Sequence, residues 1–590
     1  MGKTISLGTS VWQPNERIVG IFHSEKHGAG PRDWSLKYEA LMTTPKALPL
    51  HGVHTVGSPA SLNLPFSKMK SLSLNTLAMS KVFSQRGTSI AVARIIPDAW
   101  RMARQAVAEL DVLDPLPPEI ALVQRFLQTE VSPQFELIAM LSHGVGVHHS
   151  GLSDETRTLI EWLAEIGRLK ILCATTGIAQ GLNFPVSSVF LASPQLPVRG
   201  SRLMSSRAFW NLAGRAGRIG HDTVGVVGVA AGNNPQAMRE YISQATGDLV
   251  SRLVTMSQEL QDRGGLSQLE SVLQQDQWTD FRIFVAHLLN EKKNLDAVIA
   301  ETESLLRTTL GYATLQNRSD HEKTNALLLA TKQYARKLAE HPESSVLSDA
   351  TGFSPEGVSR ALLGLNSLER KLTIADWQPA SIFGPASSLP QIIGVMMNIP
   401  EVRGPLVELG QRGTDKTRVA QIAAAWVNGQ SVEEIAKVYF SGDGENVKPL
   451  TDALTDACKG IYKALAYAGT WGIAALSKMP TSGIDFEALS EAERRQLNVI
   501  PGMLYHGVNS EQAVVMRMNS VPRSIAEKLG NMYATTVETN GVVSATSART
   551  FLKSLSESDW NAARPVNGTM TGSDYQAVWA TLSGESLPQA

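Results

Sequence analysis

Leu169-Lys-Ile-Leu-Cys-Ala-Thr-Thr-Gly-Ile-Ala-Gln-Gly-Leu-Asn-Phe-Pro185 sets a short apolar run against a Thr-Thr-Gly turn. Farther along, Asn211-Leu-Ala-Gly-Arg-Ala-Gly-Arg218 places two arginines three apart between glycines. The first segment reads as a strand that ends abruptly and passes into a turn and a helix. The second reads as a glycine-rich helix start from which both guanidinium groups point into one interface, each able to fork onto phosphate oxygens. The pair predicts an α/β sheet with a nucleotide phosphate at its edge.

Outward from this pair the same alternation continues. Leu72 to Phe83 has helical spacing, Thr88 to Ile96 is rich in β-formers, and Trp100 to Leu113 is helical again. Gly144 to His148, Ser188 to Ala192 and Val224 to Ala231 are further short apolar runs, most of them separated by helix-length segments. Strands alternating with helices predict a parallel sheet covered on both faces, with ligands at the carboxyl ends of its strands. Before it, Ser10 to Phe22 has a Pro-Asn turn and an apolar alternation suited to a strand. Apolar periodicity then fades from His23 to Ser67 among Gly, Pro, His and Lys, which predicts an insertion or loop.

Beyond residue 235 strand signals almost vanish. Gln236 to Leu260, Asp280 to Thr308, His321 to His341, Lys416 to Phe440 and Val447 to Ala475 are amphipathic, with Gly- and Pro-containing separators such as Pro379 to Pro390. The expected fold class is therefore α/β followed by mainly α. The chain's 590 residues exceed one core and suggest roughly three to five domains.

Net charge is only -1, so a nucleic-acid partner would be gripped by a local groove rather than by bulk basicity. Cys173 and Cys458 lie far apart in apolar surroundings, which argues against a disulfide framework or a thiolate metal site and fits a reducing cytosol. The amino terminus has no secretory pattern. The most apolar window, Ala457 to Leu476, carries Lys459 and Lys463 and reads as core helix rather than a membrane span.

Four pieces fall in a fixed order: His148-His-Ser-Gly-Leu-Ser153 after a strand, Arg157 and Glu161 on the next helix, Ala174-Thr-Thr-Gly at a strand end, and the Arg215 and Arg218 pair. In this order and spacing the region resembles the second RecA-like domain of superfamily 2 helicases, specifically the Ski2-like branch. The resemblance implies that Arg215 and Arg218 are arginine fingers completing an ATP site between two RecA-like domains, with Gly181, Asn183, Asn211 and Gly214 near the nucleotide. Asn211 departs from the family pattern, in which glutamine is usual; a shorter amide still donates and accepts. The resemblance places His149, Gly151, Arg157, Thr175 and Thr176 against the nucleic-acid backbone. His148 and His149 lack a third ligand at a sensible spacing, and no metal site is expected.

The implied organisation runs as follows: the end of a first RecA-like domain or linker strand over 1–24, an insertion or loop over 25–67, the second RecA-like domain over 68–235. Then come a helical module over 236–395 with a candidate winged helix, a ratchet-like helical module over 396–485, a helix-hairpin-like element over 486–540 and a polar tail over 541–590. Trp426 to Ile435, Met503 to Val508 and Val521 to Ala526 carry the weaker part of this likeness. No Gly-rich loop ending in Gly-Lys-Ser/Thr follows a strand, and no acidic box for Mg²⁺ is present; Gly2-Lys3-Thr4 lacks the upstream loop. Hydrolysis by this polypeptide alone is expected to be negligible. The implied function is the C-terminal part of an ATP-dependent helicase that uses ATP with Mg²⁺ held mainly by another domain, in trans or from a longer gene. Its partners would be DNA or RNA, an ATP-binding RecA-like half and, as beside some bacterial relatives in antiviral defence or genome maintenance, a nuclease subunit. The alternative is a non-catalytic scaffold derived from a helicase.

Overall fold

Eight short runs of mostly apolar residues pair into one sheet: β1 (Arg17–Lys26), β2 (Trp34–Thr43), β3 (Gly52–Gly57), β4 (Ser89–Ala93), β5 (Val145–His148), β6 (Ile171–Thr175), β7 (Ser188–Leu191) and β8 (Gly225–Ala230). This computed structural model describes residues 17–43, 52–57, 62–178, 186–195, 203–204, 206–217, 224–247, 279–308, 321–410, 415–442, 447–540, 544–566 and 568–585. The chain divides into two units, one of Met1–Gln128, Pro133–Asp248 and Ala580–Ala590, the other of Thr129–Ser132 and Leu249–Trp579.

In the first unit the strand order is β3-β2-β1-β8-β7-β4-β6-β5. Every neighbouring pair from β1 to β5 is parallel. Parallel neighbours need crossovers, and helices such as Leu72–Phe83, Ile96–Glu109 and Asp154–Glu165 lie in them. Every residue of β4, β5, β7 and β8 is buried, which is why these strands read as unbroken apolar runs rather than alternations. The start of helix Asp154–Glu165 is set locally: the Ser153 hydroxyl accepts from the Thr156 amide at 3.0 Å, and Asp154 and Glu155 sit in the first turn.

Two expectations change here. The strand read as a linker near the amino end is an integral member of this sheet, since β1 lies parallel to β8 with Arg17 opposite Gly225. The stretch read as a loop over 25–67 holds β2 and β3, which add an antiparallel extension to the sheet. Trp34, Leu36, Tyr38 and Ala40 alternate inward, but Lys37 and Glu39 between them hide the period from a reading of apolar runs. The Tyr38 hydroxyl then donates to the Val227 carbonyl at 2.7 Å, tying the extension to β8.

The second unit is helical, and its helices are shorter than the amphipathic stretches suggest. Asp280 to Thr308 divides into Thr279–Lys292 and Leu295–Thr308. Lys416 to Phe440 divides into Lys416–Val427 and Val432–Tyr439, where Ser431 and Glu434 form a capping box. Val447 to Ala475 becomes Leu450–Lys459, a π-helix over Gly460–Gly469, and Thr470–Ser477. The separator Pro379 to Pro390 instead opens the helices Pro379–Ile382 and Leu389–Met396; each proline occupies a first-turn position, where its missing N–H costs nothing, as in Pro342–Thr351 and Pro355–Asn366. No strand occurs among the described residues of 279–395.

The expected polar tail is also structured. Ala545–Ser554, Glu557–Ala563 and Gly572–Ser583 are helices that bury Leu552, Trp560, Tyr575, Val578 and Trp579. Their Ser and Thr content reflects caps, as at Ser544 and Ser556. Among the described residues no helix is long and apolar enough to cross a membrane.

Candidate functional site

The boxes occupy both ends of the parallel strands. At the carboxyl end β4, β6 and β5 lie side by side, with Ala93 opposite Thr175 and His148 opposite Ala174. Thr175 closes β6 and Thr176 begins the turn after it; both are half-buried, and no other described side chain engages their hydroxyls. His149 is turned inward, 2% exposed. Its Nδ1 accepts from the Gly151 amide at 3.0 Å and its ring meets Trp100 edge-on. The resemblance makes His149 a backbone contact; in the structure its imidazole instead shapes the buried turn through Gly151. Arg157 is half-buried and paired with Asp154 one turn back, so its guanidinium is already engaged.

A residue missed in the sequence lies beside them. Arg94 directly follows β4, is exposed, and has no ion-pair partner among the described residues. The helix Ile96–Glu109 starts immediately after it, with Pro97 in its first turn and the Asp98 and Ala99 amides donating to the Ile95 carbonyl. The signal was a cation between an all-apolar strand and a proline-led helix, hidden because Arg94 had been absorbed into the strand.

The arginine box sits at the opposite, amino end. It follows helix Ser206–Ala213 rather than starting one, because Gly214 and Gly217, the latter at φ 99°, let the chain leave the helix. Val186, just before β7, donates its amide to the Arg215 carbonyl at 2.8 Å and accepts from the Gly217 amide at 2.8 Å. The Arg17 guanidinium donates to the carbonyls of Gly214 (3.0 Å) and Ala216 (3.1 Å). Gly225 makes the close approach possible: a Cβ there would stand 2.4 Å from the Ala216 carbonyl carbon. Asn211 is exposed and Gly214 half-buried. Gly181, Asn183 and Arg218 lie outside the described residues.

Glu161 stands between the two ends. Its Oε1 is 2.7 Å from His148 Nε2. Burial pulls the Arg215 pKa below its ordinary value, and the negative charge of Glu161 opposes that shift. Sequence reading noted Glu161 on its helix but gave it no role, since its neighbours come from β5 and from the loop before β8.

These boxes thus sit at the strand ends of one mostly parallel α/β sheet. No family profile matches the chain. Segments of it are similar to the ATP-dependent DNA helicase Hel308 of Thermoplasma volcanium, 37% identical over 108 residues, 18% of this chain and 16% of that protein. They are also similar to the antiviral helicase SKI2 of Saccharomyces cerevisiae, 38% over 104 residues (18% and 8%), and to the ATP-dependent RNA helicase mtr4 of Schizosaccharomyces pombe, 38% over 97 residues (16% and 9%). The likeness thus spans less than a fifth of each relative. Over these segments the chain is similar to Ski2-like helicases of superfamily 2.

Proposed function

We propose that this chain supplies the phosphate-sensing and strand-contacting part of an ATP-driven nucleic-acid motor. Arg215 and Arg218 reach the terminal phosphate of ATP held by another RecA-like domain, carried in trans or on a longer gene product. There they stabilise charge on the phosphoryl oxygens as it redistributes during hydrolysis. Asn211, Gly214, Gly181 and Asn183 border that nucleotide. The single observation that carries this reading is the pinned backbone of the arginine box, whose three consecutive carbonyls, Gly214, Arg215 and Ala216, are all held. A guanidinium presented from a fixed backbone needs little reorganisation when charge develops.

The donor suited to a phosphate is the cationic fork of the arginine itself, since the amides of residues 214–217 already donate to carbonyls. Mg²⁺ is assigned to the ATP-binding half, whose phosphate loop and acidic box would hold it. At the other end of the strands, Thr175, Thr176 and Arg94 take the phosphates of a single strand. Arg157 joins them by exchanging Asp154 for a phosphate, and His149 and Gly151 hold the turn in shape. The strand is DNA or RNA, as the relatives' names include both. A nuclease subunit and an antiviral or genome-maintenance setting extend the same proposal. The two buried free cysteines suit a reducing cytosol.

ATP hydrolysis is the test. The full chain is mixed with a Ski2-type ATP-binding half and single-stranded DNA or RNA, and Arg215→Ala and Arg218→Ala are compared with wild type. Loss of an arginine finger lowers kcat by roughly 10³- to 10⁵-fold. Absence of stimulation by the wild-type chain, or stimulation that survives both substitutions, overturns the motor reading and leaves a binding scaffold.

A further inference from the structure

The arginine box is held from a place far away in sequence. Arg17 is the first residue of β1, and its guanidinium bridges two carbonyls that flank Arg215, Nη2 to Gly214 at 3.0 Å and Nε to Ala216 at 3.1 Å. The peptide between them is fixed on its other side by Val186, which gives its amide to the Arg215 carbonyl and takes the Gly217 amide. Arg17 and Val186 therefore hold the backbone of residues 214–217 from two strands. The direction in which the Arg215 side chain leaves that backbone is set by these bonds.

We propose that Arg17 is the positioning residue of the arginine box, a splint that aims Arg215 without touching nucleotide itself. The proposal rests on the reading of Arg215 as a phosphate-contacting residue. Two features favour it over generic packing. Only a planar fork reaches carbonyls two residues apart with separate N–H groups; an ammonium on a flexible stem offers one point of charge. Arg17 also lies opposite Gly225 in the β1/β8 register, and Gly225 is the residue whose missing side chain lets Ala216 and Gly217 rest against the sheet. Burial lowers the Arg17 pKa, but an arginine so placed stays charged at neutral pH.

A mechanical consequence follows. Because the splint is anchored in β1, sliding or tilting of that strand displaces the carbonyls on both sides of Arg215.

Arg17→Gln and Arg17→Lys in the full chain test the splint. In amide hydrogen exchange, Arg17→Gln is expected to speed exchange at Gly217 and at Val186 roughly tenfold, equivalent to about 1.4 kcal/mol of lost protection, with Arg17→Lys intermediate. In the motor assembled with a Ski2-type ATP-binding half and single-stranded DNA, Arg17→Gln is expected to lower kcat by roughly 10- to 100-fold while KM for ATP moves less than about threefold. In an Arg215→Ala background the same change should have no further effect on kcat, because both act through one contact. Full additivity of the two substitutions overturns the proposal, as does wild-type exchange in both Arg17 variants. If Arg215→Ala itself leaves hydrolysis undiminished, the phosphate reading has failed; the splint is then architectural, and the exchange data say so independently.

Discussion

Gly225→Ala puts the close packing of the arginine box to a quantitative test. A Cβ at that position would lie 2.4 Å from the Ala216 carbonyl carbon, 2.5 Å from its oxygen and 2.6 Å from the Gly217 nitrogen. All three are backbone atoms, so no side-chain rotation relieves the clash, and residues 216–217 must retreat by about 1 Å to regain van der Waals contact. That retreat stretches the Val186 bonds to Arg215 and Gly217 and the Arg17 bonds to Gly214 and Ala216. Overpacking costs about 1–3 kcal/mol, and the four weakened hydrogen bonds add at most about 1 kcal/mol each, so a loss of at least about 1 and at most about 7 kcal/mol is expected. Gly228→Ala is the control on the same strand. Its Cβ would meet the rings of Phe22 (2.8 Å) and Phe190 (3.0 Å), which burdens the core without moving the box. Urea unfolding should show both variants destabilised, amide exchange at Gly217 should accelerate only in Gly225→Ala, and ATP hydrolysis by the assembled motor should fall roughly 100-fold only there. Wild-type exchange at Gly217 in Gly225→Ala, or an equal loss of hydrolysis in Gly228→Ala, would refute the reasoning.

Other expectations concern stability. Burial alone would raise the Asp376 carboxyl, but bonds from Arg370, Ser388 and the amide and hydroxyl of Thr373 outweigh it and hold the group far below the usual carboxylate range. Its contribution is therefore fully present above the unfolded value near pH 3.9 and is lost as pH falls toward the depressed folded value. Asp376→Asn should cost about 1–3 kcal/mol in urea unfolding at pH 7, with a gap that narrows below about pH 4. Arg523 stacks 3.9 Å over the Trp426 ring and donates to the carbonyls of Trp426 (2.6 Å), Gly507 (2.7 Å) and Gln430 (2.9 Å). Burial lowers its pKa to about 10, leaving it cationic at neutral pH. Arg523→Met should cost about 3 kcal/mol and Arg523→Lys less, with stability measured by denaturant unfolding; equal stability of both variants and wild type contradicts the clamp. Burial pushes up both thiols, that of Cys458 to about 12, so iodoacetamide should label Cys173 and Cys458 only after unfolding. Rapid labelling of the folded chain by mass spectrometry would count against the buried placement.

The parts that could be read in advance share one property: their signal is local. β4 to β8 are fully or largely buried on both faces, so their residues need no alternation and appear as plain apolar runs. The order of the His148, Thr175 and Arg215 boxes is likewise written along the chain. Where two local signals competed, the reading failed: charged residues masked the β2 alternation, Pro379 and Pro390 opened helices in a stretch read as a separator, and Ser and Thr content, part of it in the caps Ser544 and Ser556, made the C-terminal helices resemble a polar tail.

Site geometry belongs to a different category. Arg17 and Ala216 are 199 positions apart, and what joins them is the placement of β1 beside β8, which no short-range period encodes. Glu161 acquires its role from neighbours on β5 and in the loop before β8, and Arg94 gains meaning from Thr175 across the β4/β6 ladder. Residue types and spacing along the chain thus determine the alternation of strands and helices and which family the motifs resemble, because periodicity and motif order act over a few residues. Strand order, which is settled by how whole faces bury against one another, selects which distant residues hold the finger and splits the site between the two ends of the sheet.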